Sequence, residues 1–267
     1  MALFKRKPGT TAPFPPPPTT VVLPPPVIPA PPAAERRATQ RFALQPEFPL
    51  KAVLSYVGRD DTGAPMSNSR HGWHWKGRLV DCSEVGARIQ LGHGLRAVLG
   101  ESCDLRLSVR EFELSIPCHV TNLREQPEGM VFGLRHDIKD PETLRNYREF
   151  VEVVALASTL RLRTRTPRPD ESGYIVERYA STRPSRLTIW RHPVDGGMSA
   201  FEFVLKDNLV RAARGRNAEY FAGEGEDARA AAALRCVEIQ RLFQWVVPNL
   251  PSVVPDDVRA FLRHYAG

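Results

Sequence analysis

Two stretches of strict alternation set the tightest limit on what this chain can fold into. Cys103, Leu105, Leu107 and Val109 alternate with Asp104, Arg106 and Ser108, and Leu114, Ile116, Cys118 and Val120 repeat the pattern a few residues later. A strand turns successive side chains to opposite faces, so each run puts one face in a core and the other in water. Further runs surround them. Residues 48–57 read as a first strand. Residues 75–80 and 87–91 flank the segment Asp81–Gly86, with Ala87, Ile89 and Leu91 on one face. Met130–Arg135 follows a turn near Pro127–Gly129. About six short strands separated by turn signals predict a closed antiparallel β-barrel.

A helix is expected next. Asp140 is a fitting N-cap, and Pro141 sits at the first helical position, where a missing N–H costs nothing. Leu144, Tyr147, Val151 and Val154 then recur at helical spacing, giving one apolar stripe to lie against the barrel. Four regions follow from this reading. Residues 1–34 are a disordered proline-rich tail, since Pro15–Pro18, Pro24–Pro26 and Pro29–Pro32 interrupt any helix or ladder. Residues 35–160 form the barrel domain with its helix, 161–169 a basic linker, and 170–267 a small α+β domain.

In that last region Tyr174–Tyr179, Leu187–Trp190, Ala200–Leu205 and Ala218–Phe221 are strand candidates, and Asp195-Gly196-Gly197 a turn. Ala232, Cys236, Ile239, Phe243 and Val246 mark one helix, and Val258, Phe261, Leu262 and Tyr265 another. The fold class expected is therefore mainly β: a six-stranded antiparallel barrel with a following helix, plus a small C-terminal α+β domain.

Composition narrows the function classes. The net charge of +7 favours acidic partners such as nucleotides, and arginine far outnumbers lysine. No apolar run approaches the ~20 residues that cross a bilayer, and the basic opening Met1–Lys7 runs into proline, which is not a signal-peptide pattern. Cys82, Cys103, Cys118 and Cys236 stand apart, with no CxxC pair, and read as small buried hydrophobes in a reducing compartment. A cytoplasmic chain is expected, without a cofactor, a metal site or catalytic residues. His71 and His74 flank Trp73 but have no third ligand near them in sequence, so they read as exposed loop residues. Trp190, Trp245, Phe201 and Phe203 read as core of the second domain.

Two short signals bracket the first strand. One is Arg36-Arg37-Ala38-Thr39-Gln40-Arg41, where the tail meets the fold. The other is Asp81-Cys82-Ser83-Glu84-Val85-Gly86, followed by Ala-Arg-Ile. Together they resemble the PilZ family, whose signature is RxxxR followed downstream by [D/N]xSxxG. Arg37 and Arg41 match the first element; Asp81, Ser83 and Gly86 match the second. The resemblance runs through the alternating strands, Phe132-Gly133-Leu134-Arg135 and the following helix, over roughly residues 36–160. One departure is the wide gap between Arg41 and Asp81, for which the polar stretch Gly58–Gly72 is a natural loop insertion.

The resemblance implies a bacterial receptor for cyclic di-GMP, without catalytic activity. Arginine forks can take phosphate oxygens or guanine O6 and N7, or stack on a purine. Under this reading Arg37 and Arg41 wrap the ligand, with Arg36 as a third contact. Asp81 accepts from guanine, Ser83 donates a hydroxyl, and Gly86 supplies positive φ or a close backbone approach. Capture would order Arg36–Arg41 and pass the signal to the tail or the C-terminal domain, through which a protein partner is expected. The alternative is a PilZ-like interaction adaptor that does not bind the nucleotide. A nucleic-acid polymer is not an expected partner, because no helix-turn-helix or RNA-recognition signature is present.

Overall fold

The computed structural model describes residues 39–56, 73–95, 97–223 and 228–267, and the backbone of 58–59 and 65–66. The expectations on the tail, Arg36, Arg37, His71 and most of the Gly58–Gly72 loop lie outside these residues. Within that loop, β3 (Gly58–Arg59) pairs antiparallel with β4 (Pro65–Met66).

The first sheet is the expected barrel. Its strands are β1 (Phe42–Ala43), β2 (Lys51–Tyr56), β5 (His74–Ser83), β6 (Gly86–Leu91), β7 (Ser102–Val109), β8 (Phe112–Gln126) and β9 (Gly129–His136). Strands β5, β2, β7, β8, β9 and β6 are bonded in that order, and β5 pairs again with β6, which closes the ring of six. The alternation predicts the burial correctly: Cys103, Leu105, Leu107, Val109, Ile116, Cys118, Val120, Ala87, Ile89 and Leu91 all lie in one core. Strand β2 starts later than expected, because Pro46 and Pro49 cannot donate to a ladder and Phe48 closes a turn onto the Gln45 carbonyl.

Strand β1 was not expected, and it matters most for the site. The first half of β5 pairs with β2, while its far end pairs with β1, in the register Phe42↔Cys82 and Ala43↔Asp81. Two residues are too few to show a period.

Helix α1 (Pro141–Ser158) begins as expected, with Asp140 accepting from the Thr143 N–H at 2.7 Å. Tyr147, Phe150, Val151 and Val154 face the barrel core. Leu144, expected on the same stripe, is only half-buried.

The second sheet is a seven-stranded antiparallel meander bonded in chain order. It runs through β10 (Arg161–Arg165), β11 (Ile175–Ala180), β12 (Ser185–Arg191), β13 (Met198–Leu205), β14 (Asn208–Ala213), β15 (Glu219–Ala222) and β16 (Arg229–Ala230). Helices α2 (Ala233–Val246) and α3 (Asp256–Ala266) supply Ile239, Phe243, Val246, Val258 and Leu262 to its core, joined by a 3-10 turn at Val247–Asn249.

Three details differ from expectation. Residues 161–165, read as linker, form edge strand β10; all five are exposed, so the backbone ladder to β11 leaves no apolar signature. Strand β14 follows a tight turn made without glycine, at Lys206 with φ of 58°. Trp245 packs on the barrel core beside Phe112, with ring centroids 5.0 Å apart, and Trp190 belongs to neither core. Phe201 and Phe203 are in the second core, as expected.

Candidate functional site

The candidate site lies where Arg41, the last residue of the first signal, meets the second. Because β1 lies beside the far end of β5, Arg41, one residue before β1, arrives next to Asp81. Its Nη1 donates to Asp81 Oδ1 at 2.7 Å. The other carboxylate oxygen is held by Arg88, whose Nε donates at 2.5 Å and whose Nη2 also bonds to it. The Asp81 side chain is 4% exposed, whereas Arg41 and Arg88 are 28% and 43% exposed. A buried carboxylate thus aims two guanidinium groups outward, each with donors left over from its five.

Arg88 was not among the residues expected to act, yet its position is readable from the hairpin. Ser83 pairs with Gly86, so Cys82 faces Ala87 and Asp81 faces Arg88. Opposite charges directly across two strands attract at close range. The signal is the register of a two-residue turn, which motif matching alone passes over.

The remaining expected residues take different places. Asp81 and Ser83 are the end of β5, not turn residues; only Glu84 and Val85 turn the chain. Ser83 is fully buried, and its hydroxyl donates to the Gly86 carbonyl at 3.2 Å, closing the turn. Gly86 answers its open alternative as close approach: its φ is not positive, and a Cβ there would lie 2.3 Å from the Leu134 carbonyl oxygen.

Beneath the turn sit Tyr147 and His136. The Tyr147 hydroxyl donates to the Ser83 carbonyl at 2.8 Å, and the His136 backbone N–H donates to the Val85 carbonyl at 3.0 Å. Their rings meet edge to face at 4.4 Å. Burial, helped by the Arg41 charge, lowers the His136 imidazole to about 4, so it is neutral at pH 7. Burial raises the Tyr147 phenol, which stays a donor, and it also raises the Cys82 thiol.

Elsewhere, His74 shares a hydrogen bond with the Ser55 hydroxyl at 2.6 Å, and Trp73 is more than half exposed. Cys82, Cys103 and Cys118 are buried thiols, and Cys236 is partly buried. Among the described residues no helix is long and apolar enough to cross a membrane.

A closed antiparallel barrel with a charged corner at the β5–β6 turn and a helix packed beneath it defines a small β-barrel domain. More narrowly, residues 35–152 match the family model of the PilZ domain. Among solved structures it is similar to the PilZ domain with c-di-GMP of YcgR from Escherichia coli, at 12% identity and a TM-score of 0.32, covering 44% of this chain and 89% of that one. No curated protein matches the chain.

Proposed function

We propose that this chain is a cyclic di-GMP receptor, with the nucleotide bound at the corner formed by Arg41, Arg88 and the Asp81–Gly86 turn. The observation that carries the reading is the pair of half-exposed guanidinium groups held on one buried carboxylate. Guanidinium forks match both halves of such a ligand, the phosphate oxygens and the O6/N7 edge of guanine. Asp81 serves here to preorganise the two arginines, so that little side-chain entropy is lost on binding. Its oxygens keep lone pairs for a guanine N–H, in line with its family role. On the motif alone, Arg36 and Arg37 are further ligand contacts.

We read the protein as a receptor and not an enzyme. Arginine stays protonated near neutral pH, and the Asp81 carboxylate is already engaged by both guanidinium groups. Capture is a step of recognition, and its output is a change in how the chain is held.

Titration calorimetry of the full chain with cyclic di-GMP tests this. Binding should be micromolar or tighter, and Arg41→Ala or Arg88→Ala should each weaken it by about a hundredfold, the scale of a lost charge-assisted pair. Unchanged affinity in both variants would remove the site; no heat with the wild type would remove the ligand.

A further inference from the structure

Helix α1 belongs to both halves of the molecule. Its eighteen residues run about 27 Å. Tyr147, Phe150, Val151, Val154 and Ala155 lie in the barrel core, while Leu156 and Ala157, with Leu160 just beyond, lie in the core of the second sheet. A helix leaves its last carbonyls without intrahelical partners. Here the second sheet gives one of them, Leu156, a partner, and the 3-10 turn adds a bond to Val154 just before them. The Ser185 hydroxyl donates to the Leu156 carbonyl at 2.6 Å, and Asn249 Nδ2 donates to the Val154 carbonyl at 3.3 Å. Thr159 takes the Ala155 carbonyl at 2.9 Å and bonds in turn to Ser181.

The other end of α1 is fastened to the charged corner. The fully buried Tyr147 hydroxyl holds the Ser83 carbonyl, and the His136 ring pressed on Tyr147 belongs to the residue that holds the Val85 carbonyl. The Arg41 side is tied to the same place by a second thread. Asn249, wholly buried, accepts the Gln45 N–H at 2.8 Å, just after β1, while it donates to α1. The Arg183 guanidinium lies 5.3 Å from the Phe42 ring centre and 3.8 Å from Glu152 on α1.

We propose that α1 carries the state of the Asp81–Gly86 corner to the second sheet, with Tyr147 as the positioning residue that fastens the helix to the corner. This makes residues 161–267 the output side of the receptor, and it rests on the reading that a ligand occupies the corner. The physical ground is that close-packed interiors pass displacement on instead of absorbing it. A ligand that shifts or tightens the turn acts on the Ser83 carbonyl. Tyr147 follows, and the Leu156 and Val154 carbonyls follow with the rigid helix. By linkage, whatever holds the far end also biases the corner.

The test is hydrogen exchange by mass spectrometry on the full chain, with and without cyclic di-GMP, in wild type and Tyr147→Phe. Phenylalanine keeps the ring, so the variant should fold, with nucleotide affinity lower by about tenfold, the size of one buried hydrogen bond. In wild type, bound nucleotide should slow exchange at 81–86 and also at 156–160 and 181–187. In Tyr147→Phe the slowing should stop at the corner. Slowing confined to the corner in the wild type, or equal distal slowing in the variant, would overturn the proposal. Without nucleotide, the variant should exchange faster at 81–86 and 156–160 but not across β13 and β14; faster exchange everywhere would mean a purely structural role. This ligand-free comparison stands even if calorimetry shows no cyclic di-GMP binding, so the two ideas can fail separately.

Discussion

Among the described residues two clusters of arginines hold a buried carboxylate, and they serve opposite ends. In the barrel, Asp81 is gripped by Arg41 and Arg88, both substantially open to solvent. In the second sheet, Glu177 is bonded by Arg191 Nε at 3.1 Å and by the Tyr179 hydroxyl at 3.1 Å, with Arg165 at 3.4 Å. Arg191 is itself buried, and its Nη1 donates to Asp257 at 2.6 Å and to the Gly196 carbonyl at 3.0 Å. The chemistry is the same in both, but the spare capacity differs. Donors satisfied within the protein tie α3 to the sheet, while donors turned outward can take a ligand. The contrast rests on Arg191, which is buried, because Arg165 at the rim of the inner cluster is itself open to solvent.

The sharpest way to break this comparison is to unpair the inner cluster. Arg191→Ala should cost about 3–5 kcal/mol, because it strips support from a buried charge. Chemical denaturation measures it, and a loss below about 1 kcal/mol, the value of a surface pair, would show that the cluster is no strut.

Acid should separate the two regions next. The His136 imidazole, ordinarily 6.5, is lowered to about 4 in the folded corner, so between these values the unfolded chain binds more protons. Stability should therefore fall as pH drops from 6.5 toward 4, by up to about 3 kcal/mol. The Asp257 carboxyl, held below its ordinary 3.8 by the Arg191 hydrogen bond, supports the inner cluster until more acid pH. Its contribution is present above 3.8 and is lost as pH falls through the lowered value. Melting curves across this range should flatten between pH 6.5 and 4 in His136→Phe and in no variant of the second cluster.

Gly86→Ala should come next, at about 1–3 kcal/mol, since its Cβ would meet the Leu134 carbonyl and push β6 from β9. It should also weaken nucleotide binding through the displaced turn. Smallest in stability is Arg41→Ala, at less than about 1 kcal/mol for a part-exposed pair whose carboxylate keeps Arg88. A larger loss would mean that the outer cluster is also a strut.

Much of the barrel was legible because period-2 burial writes itself into sequence: the residues alternating along 103–120 and 87–91 are the residues buried. The start of α1 was legible for a similar reason, since Asp140 and Pro141 act through local backbone chemistry. At the site, the motif pointed to Asp81, Ser83 and Gly86 but not to their division of labour. Ser83 read as a donor to ligand and is spent on the Gly86 carbonyl. Arg88 and Tyr147 were passed over, one because only the hairpin register sets it opposite Asp81, the other because a tyrosine on an apolar stripe looks like core until its hydroxyl is placed.

What the sequence determined by itself, then, is local: which residues alternate, where proline and glycine forbid or require a conformation, and which short signal ends β5 and opens β6. The tertiary structure alone decided the rest. It set β1 against the end of β5, made β10 from five exposed residues, and lodged one helix in two cores. Those outcomes depend on backbone pairing and on groups far apart in the chain, as with Arg41 and Asp81 or Gln45 and Asn249. Ladder hydrogen bonds are blind to side-chain pattern, so no periodicity could have announced them.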